Sequence, residues 1–447
     1  MAIYDELEHV GQLHLLEGSE QLNEAERKRF QDEVRSIDFL QLRVLFSSRH
    51  DAQASLPSRD RIAPIPVEPA GYIPEATQHL GEEALRRGEV AVLLVAGGQG
   101  TRLGFDKPKG MYPVGPISGA TLFQIHAEKV LALSRRFGKP VPFLIMTSPA
   151  THEETIAFFQ ENQNFGLAAE QVHFFTQGTM PALDAATGKV LLEAPGKLFL
   201  SPNGHGGTLT ALADSGLLNR LKSQGVKHIF YFQVDNPLVQ IAEPGFVGIH
   251  IARDAEASSK VVFKEQPGEK VGVLALVDGN CSIVEYSDMP AEMTEEREAD
   301  GSLKFRAGSP AIHLFSVPFL ERVTTGDQRL SFHIARKKVA HLGDPDPKDV
   351  NALKFELFIF DALPLADRWL AVQTLREDEF APLKNASGSD SLETLQTAMF
   401  AQAKRWLKQA GITGLDDAEV EISPLFALSP QELRAKTITL GQRVYLR

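Results

Sequence analysis

One cysteine, Cys281, stands in 447 residues. No internal disulfide can form, and so sparse a use of cysteine fits a reducing compartment. No apolar run approaches the roughly 20 residues that a membrane span requires. The N-terminus, Met1-Ala2-Ile3-Tyr4-Asp5-Glu6-Leu7-Glu8, is acidic and has no apolar signal core, so the cytoplasm is the expected location. Positive charge is in deficit: 46 Lys and Arg against 58 Asp and Glu give a formal net charge of -12. That balance argues against a nucleic-acid backbone or an anionic membrane as the main partner. Anionic substrates must then be met by a few placed Lys and Arg residues. With 43% hydrophobic residues, a chain of this length buries a large core and is expected to form more than one domain.

Two familiar phosphate patterns are also missing where a glycine cluster invites them. The stretch Leu93 to Gly110 completes a buried strand, Val90 to Ala96, and runs into a loop containing Gly97, Gly98, Gly100, Arg102, Gly104 and Lys109. A dinucleotide fingerprint needs a third glycine where Leu103 stands, and a Walker loop needs a Gly-Lys-Ser/Thr run that is absent. What remains is a loop whose glycines let backbone N–H groups converge on an anion, with two cations to add charge-assisted contacts. It reads as a polyphosphate loop; a tight turn with incidental charges is the plainer alternative.

Residues from about Ile3 to Phe46 read as helices, with one apolar stripe at Ile3, Leu7, Val10 and Leu13 and another at Phe30, Val34, Ile37, Leu40 and Val44. Ser47 to Glu75 is broken by Pro57, Pro64, Pro66, Pro69 and Pro74 and reads as a strap. From Glu89, short apolar runs alternate with amphipathic helices, which predicts an α/β fold with a doubly wound, mixed sheet. The predicted strands are Val90 to Ala96, Pro142 to Thr147, Val172 to Thr176, His228 to Val234, Lys260 to Lys264, Gly272 to Val277, Ile283 to Tyr286, Ala311 to Ser316 and Glu356 to Phe360. Ligands in such sheets sit at the carboxyl ends of strands, which points to one cleft formed by the loops after Ala96, Thr176, Val234 and Phe360. A helix from Leu392 to Gln409 opens a small C-terminal domain. The expected division is therefore 1–88 helical region and strap, 89–385 catalytic domain and 386–447 C-terminal domain.

Several residues outside the first loop carry chemistry. Gln177 ends a strand, and its amide can donate to and accept from a pyrimidine edge; it also suits a plain turn. Ser201-Pro202-Asn203-Gly204-His205-Gly206-Gly207 precedes a helix, so its amides could face an open site, although Pro-Asn-Gly makes a good turn by itself. Asp235 follows an apolar strand, where a cation such as Mg²⁺ bridging phosphates would offset its burial; Asp235 or Asn236 could instead cap a helix. Cys281 reads as part of a hairpin turn.

Ala96-Gly97-Gly98-Gln99-Gly100-Thr101-Arg102-Leu103-Gly104 followed by Pro108-Lys109-Gly110-Met111-Tyr112 resembles the signature of the nucleotide-sugar pyrophosphorylases, most of all the UDP-N-acetylhexosamine branch. Gly11-Gln12-Leu13-His14-Leu15-Leu16 resembles that family's N-terminal helix, and the likeness runs from about Gly11 to Asn385. It implies a Rossmann-like, GT-A-like nucleotidyltransferase that joins UTP to a sugar 1-phosphate with Mg²⁺. In that resemblance Gly97, Gly98, Gly100, Gln177, Gly204 and Asp235 bind the nucleotide, and Arg102 and Lys109 hold the leaving pyrophosphate. Lys354 and Lys384, otherwise ordinary surface lysines, meet the phosphates of the sugar 1-phosphate and the nucleotide. His205, Gly272, Glu285 and Ser309 face the sugar; as a bare residue, Glu285 would sit on a solvated strand face. Asp235 is the metal ligand, with Asp361 a second candidate. Two positions depart from the acetylhexosamine pattern, since His205 and Ser309 stand where that branch usually carries Asn. UDP-glucose and broad UDP-sugar enzymes carry Gly-His-Gly at the first. N-acetylglucosamine 1-phosphate is therefore the leading substrate, with glucose 1-phosphate or broad specificity as the alternative. A nicotinamide oxidoreductase and a non-catalytic UDP-sugar sensor are the rivals from other classes.

Overall fold

The structure is a computed structural model that describes residues 3–50, 58–71, 73–325, 330–415, 418–439 and 441–447. The chain gathers into two compact units, one of Met1–Leu56, Gln177–Thr210 and Leu330–Asp361, the other of Pro57–Thr176, Ala211–Arg329 and Ala362–Arg447.

The larger unit is built on an 11-stranded mixed sheet. One end of it is parallel: from the edge strand Val172–Thr176 inward, Phe143–Thr147, Val90–Val95 and His228–Gln233 lie side by side in that order. Antiparallel pairing begins at His313–Ser316, which joins His228–Gln233 to Ala257–Phe263. Central parallel strands are covered on both faces and so read as unbroken apolar runs. Val90 to Leu94 are all 1% exposed or less, and each large side chain so buried contributes about 1.5 to 3 kcal/mol. Helix Leu122–Phe137 is capped by Thr121, whose hydroxyl accepts from the Gln124 N–H at 3.2 Å, and ends at Gly138 with φ of 66°. It packs Phe123, Ile125 and Val130 into the same core as Val92, Phe143 and Phe232. The helix Leu392–Gln409 forms as expected, and beyond it Glu419–Ile422 pairs in parallel with Arg443–Leu446.

Three expectations shift here. The predicted strand Ile283 to Tyr286 begins earlier, at Asn280–Val284, because Asp278 and Gly279 turn the chain with positive φ. Cys281 is thus buried within that strand and not in the turn, and burial pushes its thiol up to about 12. The strap is not wholly irregular: Ile62–Pro64 adds an edge strand to the sheet, tolerating Pro64 there. Pro57 lies outside the described residues.

In the smaller unit, helices Ile3–His9, Glu24–Arg35 and Phe39–Ser47 cover a three-stranded sheet made of His333–Lys337, Ala352–Glu356 and Leu183–Asp184. Leu7, Phe30, Val34 and Leu42 share a core with Leu353 and Phe355. The second predicted stripe breaks, leaving Leu40 71% and Val44 60% exposed. The cause is a new helix start: Asp38 accepts from the Gln41 N–H at 2.9 Å and turns Leu42 inward instead. Gly11 to Leu16 is not an α-helix either, since Gly11 has φ of 72° and only Leu13–Leu16 coils, as a 3-10 turn. Gln12 and His14 instead grip the backbone of Gly188 and Val190. The predicted strand Glu356 to Phe360 is displaced to Ala352–Glu356, and Ile359–Leu365 is a 3-10 helix. Among the described residues no helix is long and apolar enough to cross a membrane.

One contact in the larger unit is tight enough to test. Helices Glu75–Arg86 and Pro244–Ala252 meet backbone to backbone, so a Cβ on Gly81 would stand 1.8 Å from Pro244 O and one on Gly248 1.9 Å from Thr77 O. Gly81→Ala is expected to destabilise the fold by about 1 to 3 kcal/mol through overpacking, as read by denaturant unfolding. An unchanged midpoint would show that the helices part without cost.

Candidate functional site

The glycine loop after Val95 folds back on itself. Gln99 bridges Pro108, the Gly100 N–H donates to Lys107 O at 3.0 Å, and the Lys109 N–H donates to Gly98 O at 3.1 Å. Its glycines divide by role. A Cβ on Gly100 would stand 2.8 Å from Phe105 and one on Gly110 would stand 2.2 Å from the Phe123 ring, so both serve packing within the protein. Gly98 is exposed with nothing within 4 Å of an added Cβ, which leaves its backbone open to a ligand. Gly97 beside it is half-buried, and Arg102 is exposed on the 3-10 turn Thr101–Leu103.

The returning arm places Lys109 Nζ 3.7 Å from Asp235 Oδ2, with the two side chains only 17% and 14% exposed. The parallel pairing of Val95 with Gln233 dictates this approach, because it sets the carboxyl ends of the two strands side by side. Here the sheet's connections diverge, which is where ligands bind in such folds. His126 supports the second strand end, bonding Val234 O through Nε2 at 3.0 Å. Burial holds its pKa down at about 3, so the ring is neutral. Neither Asp235 nor Asn236 caps a helix, since the next helix starts at Pro244. Lys384 is half-buried, its N–H donating to Asp390 O at 2.7 Å and its Nζ lying 5.9 Å from the Phe380 ring centre. Among the described residues no three His, Cys, Asp or Glu side chains gather to hold a metal. A cation at Asp235 would take most of its ligands from water and phosphate, a donor set that suits Mg²⁺.

Three of the sugar candidates also come together in this unit. The Ser309 N–H donates to Gly272 O at 2.8 Å, and a Cβ on Gly272 would stand 3.2 Å from Glu285 Oε1.

In the smaller unit, Gln177 is 8% exposed, and the next residue's carbonyl accepts from the Asn203 N–H at 3.0 Å. The run Asn203 to Gly207 wraps the chain at Leu357 and Phe358: the Leu357 N–H donates to Asn203 O and the Gly206 N–H to Leu357 O. Gly204, at φ of 83°, would bring a Cβ within 2.4 Å of Leu357 O. The predicted role of these amides is thus corrected in part, because the Gly206 amide is spent on the protein's own backbone.

That wrapping seats His205 among aromatic rings, 5.4 Å from Phe358 and 5.8 Å from Phe360 between centroids. His333 completes the group at 4.4 Å from Phe358 and bonds Asp361 Oδ2 through Nε2 at 2.7 Å. Asp361 therefore lies in a 3-10 helix with its carboxylate engaged, and not at a strand end. The Ile359 N–H donates to His205 Nδ1, which places the ring proton on Nε2, and burial lowers the pKa to about 4. Lys354 stands half-buried on Ala352–Glu356, its Nζ 5.1 Å from the Phe199 ring centre, and burial lowers its pKa. Phe358, Phe360 and His333 escaped the sequence reading, although the spacing Phe-Ile-Phe carries a signal: the two Phe rings are half-buried while Ile359 between them is buried.

A family model described as UTP–glucose-1-phosphate uridylyltransferase matches residues 39–434. The chain belongs to that family. Among its relatives, UDP-N-acetylhexosamine pyrophosphorylase-like protein 1 of Xenopus tropicalis is 37% identical over 94% of this chain and 87% of its own. UDP-N-acetylglucosamine pyrophosphorylase of Saccharomyces cerevisiae is 38% identical over 79% of this chain and 77% of its own. Within the family's solved structures, the uridine diphosphate N-acetylglucosamine pyrophosphorylase of Trypanosoma brucei, crystallised with an inhibitor, superposes with a TM-score of 0.85. It is 28% identical, covering 100% of this chain and 98% of that one.

The His205 ring offers a pH test. Its folded pKa of about 4 lies below the ordinary 6.5, so the unfolded chain binds more protons between these values and stability is lost as pH falls from 6.5 toward 4. His205→Asn is expected to flatten that decline in denaturant titrations. The same slope in both proteins would exclude His205 from it.

Proposed function

We propose that the protein is a uridylyltransferase that forms a UDP-sugar and pyrophosphate from UTP and a sugar 1-phosphate, with N-acetylglucosamine 1-phosphate as the preferred acceptor. The observation that carries this reading is the approach of Lys109 to Asp235 at the ends of two neighbouring parallel strands, beside an open glycine loop. A phosphate oxygen of the sugar 1-phosphate attacks the α-phosphorus of UTP in line, and pyrophosphate leaves; no covalent enzyme intermediate is needed. The enzyme's task is to position two anions that repel each other and to stabilise the charge of the transition state.

Arg102 and Lys109 hold the leaving pyrophosphate, with the open backbone at Gly97 and Gly98 beside it and Gly100 setting the turn. Lys354 and Lys384 serve the attacking side. Mg²⁺ at Asp235 neutralises phosphate charge when bound, and Asp361 is a secondary candidate because His333 already engages it. Gln177 and Gly204 contact uridine, while Gly272, Glu285, Ser309 and His205 meet the sugar. We place the reaction in residues 89–385 and in the cytoplasm.

Two polar positions bear on the sugar. Asn offers a donor and an acceptor on one amide, suited to a substrate amide; neutral His205 donates only through Nε2, and Ser309 has a shorter hydroxyl already bonded by the Ala311 N–H at 3.3 Å. One unpaired polar partner costs about 1 to 3 kcal/mol, enough to reorder substrates. This supports unacetylated hexose 1-phosphates as the second reading.

Pyrophosphate release from UTP and Mg²⁺ is to be measured across a panel of sugar 1-phosphates, for wild type and for His205→Asn with Ser309→Asn. Wild type is expected to favour the acetylated sugar, and the double variant to raise that preference further. UTP binding with no pyrophosphate release would identify a sensor, and an unmoved ratio would exclude these two residues from sugar choice.

A further inference from the structure

Beneath the larger unit's candidate residues lies a buried polar assembly for which the reaction has no direct use. Asn236, the residue after Asp235, is 3% exposed. Its Nδ2 donates to Glu379 O at 2.7 Å, and its Oδ1 accepts from the Ala381 N–H at 3.2 Å. One side-chain amide thus joins two chain segments as a backbone bridge would. The Leu383 N–H adds a third link, donating to Asp235 O at 2.8 Å. Asp235 and Lys384 therefore stand on segments bonded to each other at three points.

Glu379 anchors this assembly from below. It is 1% exposed, and its carboxylate accepts from the Lys260 ammonium, from Thr374 Oγ1 at 2.9 Å and from the Gln240 N–H at 3.3 Å. Lys260, itself 2% exposed, reaches Glu243 at 3.0 Å as well. A buried ion pair costs several kcal/mol of desolvation per ion, and an apolar pair of equal volume often serves stability as well. Stability alone therefore gives little reason for charge here. What the charges do accomplish is geometric: Glu379 fastens the loop at Gln240 and the segment at Thr374 to one point, while its own backbone holds Asn236. Lys129 fixes the same loop from the other side, donating to Val239 O at 2.7 Å.

We propose that Asn236 and Glu379 are positioning residues that fix the spacing between Asp235 and Lys384. The inference rests on the reading above that those two residues face the metal and phosphate. Both segments then move as one, and the reacting phosphates are held at a set separation. A misplacement of 1 Å can cost about 100-fold in rate, so the effect should fall on kcat.

Steady-state pyrophosphate release and thermal melting are to be measured for wild type, Asn236→Ala, Glu379→Gln, and the paired variant Lys260→Met with Glu379→Leu. The two single variants are expected to lose at least tenfold in kcat with KM for UTP within about threefold, while still melting cooperatively. The paired variant removes both buried charges, and it is expected to melt near wild type without regaining kcat. Should one single variant fail to fold, the other and the paired variant decide the matter. Near-normal kcat in a folded single variant, or kcat recovered together with melting temperature in the paired variant, would overturn the proposal. A wild type that releases no pyrophosphate with any sugar 1-phosphate would instead overturn the function from which it starts.

Discussion

The approach of a lysine to a carboxylate at the end of a parallel sheet is the constraint on which the larger unit's candidate site depends. Lys109 and Asp235 come within 3.7 Å because Val90–Val95 and His228–Gln233 run in the same direction and in register. Both strands are buried on two faces, and helix Leu122–Phe137 adds the neutral His126 under the second strand's end. A charged pair that is 14 to 17% exposed keeps part of its field unscreened, and opposite charges held so close are a poor stability device at a surface. They are better suited to a ligand carrying both negative charge and a cation.

The smaller unit works by different means. Its N-terminal helices bury Leu353 and Phe355, which fixes the strand on which Lys354 stands half-buried between them. The glycine run around Asn203 then closes onto Leu357 and Phe358, and this brings His205 onto the aromatic rings. Desolvation acts on both cation and imidazole: it lowers the pKa of Lys354 and keeps His205 neutral. Lys354 thus gains most by meeting an anion, whereas His205 offers a directed donor and no charge.

The strand Val90–Val95 was legible in the sequence because two-sided burial leaves an unbroken apolar run, and the half-buried edge strand at Val172 also begins where expected. The glycine loop was legible because its spacing excluded the two commoner phosphate loops. Leu40 and Val44 misled because periodicity continued across a helix break that only Asp38 marked. Phe358 and Phe360 were read as part of a strand ending at Phe360, since a short continuous apolar run looks the same whether a sheet or a loop and 3-10 turn bury it. Asn236 was hidden for a further reason: its partners lie more than 140 positions away, and no local pattern records a cross-link of that span. Family membership rests on the match over residues 39–434, which physical reading of single motifs could suggest but not establish.

The most direct measurement of the account is turnover of Lys109→Ala at saturating UTP, sugar 1-phosphate and Mg²⁺, with folding checked by melting temperature. If Lys109 stabilises charge on the departing pyrophosphate, kcat should fall by about 100- to 1000-fold, the loss typical of one transition-state donor, while the fold is kept. A folded Lys109→Ala protein with near-normal kcat would contradict it.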